Sequence, residues 1–147
     1  MKNTFLILIA LLCLNAFFAE AKPVKRNFSY AMQRANEAYD NDDYDECLKW
    51  ARQELKENPK NGYAFSLVSM MNYINGNYGE ALAEVEKAIK LTPKKDKHWM
   101  SGNYISRAVI NLELSDTLAA VKDFETAIKL ESENEPAFSK YAELLYE

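Results

Sequence analysis

Laid against itself, the chain repeats. At a shift of 34 residues, Tyr39, Asn41, Tyr44, Glu46, Leu48 and Pro59 fall on Tyr73, Asn75, Tyr78, Glu80, Leu82 and Pro93. At a further shift of 39, the segment ALAEVEKAIKL (81–91) falls on AVKDFETAIKL (120–130) with six identities in eleven positions, and the five extra residues lie within 94–100. A unit of this length buries its apolar face only by packing on a neighbouring copy, so the chain must fold as a series of similar supersecondary pieces. Composition agrees with helical pieces: 4 Gly and 4 Pro in 147 residues leave few turns for a many-stranded protein.

Each unit reads as two helices joined by a tight turn. In the middle unit Phe65, Val68, Ser69, Asn72 and Tyr73 recur at steps of three and four, Asn75-Gly76-Asn77 breaks the helix, and Ala81, Val85, Ala88 and Ile89 restore the period. The pattern predicts helices over residues 30–39, 45–57, 63–74, 79–91, 98–113 and 117–131. Pro59 and Pro93 stop helices, since proline has no N–H and a fixed φ. A seventh helix follows Asn134-Glu135-Pro136, with Phe138, Tyr141, Ala142 and Leu145 on its helical period.

At these residues the sequence resembles the tetratricopeptide repeat family, whose 34-residue unit packs a large and a small residue of its first helix against an alanine and an aromatic of its second. The middle repeat matches best, with Phe65, Val68-Ser69, Gly76, Tyr78, Ala81, Ala88 and Pro93 at the family's positions. The first repeat keeps Ala35, Tyr44 and Pro59 but carries Ala31, Cys47 and Glu54 where the family has a large residue and two alanines. The third keeps Tyr104, Ala108, Ala120, Phe124 and Ala127, with Ser132 in place of proline. The resemblance implies an all-α fold, a right-handed α-solenoid of three repeats (about 28–61, 62–95 and 101–134) and a closing helix (135–147).

The ends of the chain carry their own signals. Residues 5–19 are almost unbroken apolar sequence behind Lys2, and Ala19-Glu20-Ala21 offers the small residues of a cleavage site. Residues 1–21 therefore read as a secretory signal peptide, leaving a tetratricopeptide repeat domain over 22–147 that is exported, periplasmic or secreted, with no stable membrane span after cleavage. Two other readings stay open: an uncleaved anchor, for which 15 apolar residues are short, and a lipoprotein at Cys13, against which the bulky Leu11-Leu12 stands. In the last helix Phe138, Tyr141, Leu144, Leu145 and Tyr146 are many apolar groups for a solenoid end. They give a second class of reading, a structural subunit that self-associates through this helix. A third makes the chain the front interaction part of a longer envelope protein.

Catalytic chemistry is poorly supplied. The single histidine, His98, falls in the lysine-rich loop Lys94-Lys95-Asp96-Lys97, no Gly-rich phosphate loop or nucleophile motif is present, and no cofactor is expected. The run Asp40-Asn41-Asp42-Asp43-Tyr44-Asp45-Glu46 lacks the glycine and distal glutamate of a calcium loop and coincides with a turn, where aspartates favour the next helix N-terminus, so no metal site is expected either. Cys47, the one cysteine of the mature chain, reads as a buried structural thiol. With 18 basic and 22 acidic residues the chain carries a net charge of -4, the wrong balance for nucleic acid.

What remains is recognition of a protein or peptide. In the resembled family the first helices line a concave groove, and by register its lining here is Met32, Asn36 and Tyr39, then Tyr63, Leu67, Met70 and Tyr73, then Ile105, Val109 and Leu112, with Gln33 beside them. This is an apolar, tyrosine-rich partner-binding surface suited to a segment with large hydrophobic side chains. Register alone leaves open which of these residues are inter-helix core. The family's carboxylate clamp uses lysine, asparagine and arginine, whereas the matching positions hold Met32, Asn36, Leu67, Gly102 and Ser106, so only Asn36 agrees.

Overall fold

Ser29 opens the first helix, its hydroxyl accepting a hydrogen bond from the Met32 amide at 3.1 Å, and the same device recurs along the chain. The structure, a computed structural model, describes residues 26–130. Among these, six α-helices follow in order: α1 (Tyr30–Asp40), α2 (Tyr44–Glu57), α3 (Gly62–Ile74), α4 (Tyr78–Leu91), α5 (Lys97–Glu113) and α6 (Thr117–Leu130). The Asp43, Asn61, Asp96 and Asp116 side chains accept from the amides of Glu46, Tyr63, Trp99 and Ala119, satisfying donors that a helix N-terminus otherwise leaves unpaired. The segment expected as a signal peptide, with Cys13, and the segment 135–147 expected as a closing helix, with Phe138, Tyr141, Leu144, Leu145 and Tyr146, lie outside the described residues. Among the described helices none is long and apolar enough to cross a membrane.

The chain divides into two compact units, and the first is Pro23–Pro93. In it α1 packs on α2, α2 on α3 and α3 on α4. With connections of only a few residues, successive helices run antiparallel, so the turns at 41–43 and 75–77 lie at one end of the unit and the connection at 58–61 at the other. The core is made of small residues that let helix axes approach: Ala31, Ala35, Cys47, Ala51, Ala64, Ser69, Ala81, Val85 and Ala88 are buried. The Ser69 hydroxyl donates to the Ala81 carbonyl at 2.7 Å, which satisfies a buried polar group inside the α3–α4 contact. Gly62 marks the tightest approach, because a Cβ there would sit 2.4 Å from the Thr92 backbone nitrogen.

In the described part of the second unit, α5 packs on α6 around Ile105, Ala108, Ala120, Phe124 and Ala127. The Ser101 hydroxyl donates to the Ala127 carbonyl at 3.1 Å. Arg107 grips the buried Asp123 through two bonds of 2.7 Å, a bidentate geometry that compensates the burial of a carboxylate. His98, the first residue of the expected helix 98–113 although also read as part of the lysine-rich loop, stands in the first turn of α5, which starts one residue earlier at Lys97 behind its cap Asp96.

All three hairpins use the same turn. Asp42, Gly76 and Ser115, which coincide under the shifts of 34 and 39, have φ of 58°, 76° and 64°. Each following amide returns to the carbonyl five residues back, Asp43 to Ala38, Asn77 to Asn72 and Asp116 to Asn111, at 2.8–2.9 Å. This is a left-handed helix stop with its carbonyls satisfied.

Candidate functional site

The ten residues placed on the partner surface by register divide by accessibility. Asn36 and Tyr39 on α1, Tyr63 and Tyr73 on α3, and Leu112 on α5 are half-buried, and Gln33 is exposed. Met32, Leu67, Met70, Ile105 and Val109 are buried, with Met32 and Ile105 at 0% and 1% exposure. Register left open which of the ten are inter-helix core, and these five are buried. Register tells which face of a helix a residue occupies, but large apolar side chains on that face are removed from water wherever neighbouring atoms cover them.

The accessible set in Pro23–Pro93 is largely aromatic. Tyr63 meets Phe28 edge-on at 5.4 Å between ring centroids, and the Phe28 carbonyl accepts from Gln33 Nε2 at 2.9 Å, which ties the segment before α1 to the start of α3. At the turn end, the last residues of α1 and α3 pair with the first of α2 and α4. Tyr39 and Tyr44 lie 6.5 Å apart at 45°, and Tyr73 and Tyr78 lie 5.6 Å apart at 47°. The two pairs are copies under the 34-residue shift, a signal present in the sequence, but register along the first helices leaves out Tyr44 and Tyr78, which open the second helices.

The electrostatics of this end are one-sided. Around the turns, residues 38–45 contain four carboxylates and residues 72–80 one, with no lysine, arginine or histidine in either stretch, and the flanking Glu37 and Glu46 are paired with Arg34 and Lys49. Burial, then the nearby Tyr44, Cys47, Asp40 and Asp42, pushes the Tyr39 hydroxyl up to about 12. Tyr44 donates to Asp42 Oδ1 at 2.9 Å, and that bond raises its pKa as well. The exposed Lys56 and Lys90 sit in the last turns of their helices, at the opposite end, with Lys60 in the connection 58–61 there.

Away from this surface, Trp50 is covered by its own neighbours. Its Nε1 donates to Glu46 at 2.7 Å, Arg34 and Lys49 lie 5.9 and 5.6 Å from the ring centroid, and Tyr30 meets it edge-on at 5.6 Å. Of the positions matching the carboxylate clamp, Met32, Leu67 and Gly102 are buried and Asn36 and Ser106 half-buried, and none carries a cation.

No family model matches the chain. Over 110 residues it is 32% identical to serine/threonine-protein phosphatase 5 of Homo sapiens and of Rattus norvegicus, a match covering 75% of this chain and 21% of each relative. The chain thus spans about a fifth of the length of the curated relatives it matches. Among solved structures it is similar to the TPR2B domain of yeast Sti1 in its pHsp70 complex, with a TM-score of 0.67 and 16% identity over 79% of this chain and 93% of that one. It is also similar to the first TPR of Spaghetti (RPAP3) bound to the HSP90 peptide SRMEEVD, with a TM-score of 0.64 and 18% identity over 80% and 94%. Coinciding turns, paired helices and these structural likenesses agree: the chain has the all-α helical-hairpin fold of tetratricopeptide repeat domains.

Proposed function

We propose that this chain is an exported, non-catalytic interaction module that holds an extended partner segment against the first-helix face of its repeats. The observation that carries the reading is the row of half-buried side chains Asn36, Tyr39, Tyr63 and Tyr73 in a fold whose solved neighbours include two domains in complex with Hsp70 or an HSP90 peptide. Tyrosine supplies large contact area at small entropic cost, and Asn36 supplies an amide for a partner backbone. The buried Met32, Leu67 and Met70 give the face a rigid floor. Acidic tails such as SRMEEVD are not the proposed partner, because the clamp positions offer no cation to a carboxylate. Export rests on the apolar run 5–19 and the Ala19-Glu20-Ala21 site. The intact mass of the exported chain checks it, the expected start being Lys22.

The test is selection of a displayed peptide library on the chain, followed by affinity measurement of the selected peptides. A Tyr39→Ala, Tyr63→Ala, Tyr73→Ala variant is expected to lose about ten-fold or more, since hot-spot tyrosines each contribute more than about 1 kcal/mol. Undiminished affinity in a variant with native helicity rejects the surface.

A further inference from the structure

From the distribution of charge around the two tyrosine pairs, we infer that the partner segment is basic, with arginine or lysine alternating with apolar side chains along the turn end of Pro23–Pro93. The inference rests on the first-helix face being the binding surface and adds its chemistry. Antiparallel packing brings both intra-hairpin turns to one end of this unit, and with them Tyr39–Tyr44 and Tyr73–Tyr78. The carboxylates of Asp40, Asp42, Asp43 and Asp45 are exposed there, and Glu80 is exposed beside the second pair, while Glu37 is paired with Arg34. No lysine, arginine or histidine lies within residues 38–45 or 72–80, the stretches that form the two turns.

A guanidinium laid on a tyrosine face within reach of these carboxylates gains from the ring quadrupole and from charge pairing together. This chain already uses the first of these contacts, with Arg107 5.3 Å from the Tyr104 ring centroid and Lys87 5.3 Å from that of Phe65. An acidic segment meets like charge at the same place and is repelled, so the charge pattern selects as well as attracts.

Fluorescence anisotropy on the chain reads this out with three labelled peptides, Leu-Arg-Tyr-Arg-Leu, Leu-Gln-Tyr-Gln-Leu and Leu-Glu-Tyr-Glu-Leu. The arginine peptide is expected to bind about ten-fold tighter than the glutamate peptide, and the gap to shrink between about 50 and about 500 mM salt. The isosteric variant Asp40→Asn, Asp42→Asn, Asp45→Asn closes the gap, while Glu57→Gln, Glu86→Gln leaves it in place. Equal binding of all three peptides, with loss in the Tyr39→Ala, Tyr63→Ala, Tyr73→Ala variant, overturns the charge inference and keeps the surface. A preference that survives the asparagine variant also overturns the charge inference. Indifference of every peptide to the tyrosine variant overturns the surface itself.

Discussion

The two hairpins of Pro23–Pro93 share a backbone plan and differ in what fills it. Residue for residue at a shift of 34, Glu54 stands where the second hairpin has Ala88, Cys47 where it has Ala81, Ala31 where it has Phe65, and Asp42 where it has Gly76. The second hairpin closes by contact of small groups, with Ala81 and Ala88 fully buried and Gly62 against Thr92. The first closes by hydrogen bonds. Glu54, 1% exposed, accepts from Asn58 Nδ2 at 3.0 Å and Asn61 Nδ2 at 2.7 Å, and the Ser29 hydroxyl donates to its other oxygen. Ser29 caps α1, Asn58 ends α2 and Asn61 caps α3. One carboxylate therefore joins three helix ends, and the lesson is that a repeat position defined by size accepts a charged side chain when its neighbours supply every donor.

Exchanging these residues breaks the comparison most sharply. Ala88→Glu puts a carboxylate where the chain has built no donor, and about 4 kcal/mol or more of stability should be lost, enough to unfold the unit in a urea titration. Glu54→Ala installs the residue of the second hairpin and still costs roughly 2–3 kcal/mol, because three polar groups lose their acceptor. Retention of wild-type stability by Glu54→Ala would make the network incidental.

Cys47 separates the hairpins by pH. Burial first, then Asp40 and Asp43, pushes its thiol from 9.0 to about 12. The sign follows from linkage: the folded state holds the proton more tightly than the unfolded chain, so the stabilisation is complete below pH 9 and is lost as pH rises toward 12. Tyr39, raised to about 12 in the same hairpin, adds to the loss from its ordinary 10.0 upward. Cys47→Ala, matching Ala81, should flatten the decline of denaturation midpoint across this window. An unchanged profile refers the alkaline loss to Tyr39 or to other groups. At pH 8 a thiol reagent should label Cys47 only as fast as the unit opens, since the buried thiol stays protonated.

Much of this fold is legible in the sequence because it is written in spacing. The helices, Pro59 and Pro93 beyond their ends, and a buried Cys47 follow from period and repeat alone. Glu54 was visible only as a departure from an alanine pattern, because its acceptor role depends on Ser29 and Asn61, 25 residues before and seven after it. For the surface, register placed Tyr39, Tyr63 and Tyr73 on the accessible face but could not separate them from the buried Met32 and Leu67, since accessibility is set by side chains from other elements. The matching turns at Asp42 and Ser115 stayed hidden for another reason. Neither residue type demands a positive φ, and only the glycine at 76 advertises it.

That hidden equivalence gives the finest test of the comparison. Gly76→Asp places a Cβ in the left-handed region and should cost about 1 kcal/mol, the usual penalty for leaving glycine there. The reverse change, Asp42→Gly, relieves the same penalty but frees the unfolded chain and removes the acceptor of the Tyr44 hydroxyl. These terms nearly cancel, so its stability should change by no more than about 0.5 kcal/mol in either direction. Ser115→Gly resolves them, because its hairpin has Thr117 where Tyr44 stands in the first and no tyrosine bond to lose. A gain at Ser115→Gly with a loss at Asp42→Gly assigns stability to the Tyr44–Asp42 bond. A gain at both leaves that bond free to serve the surface at the turn end rather than the fold.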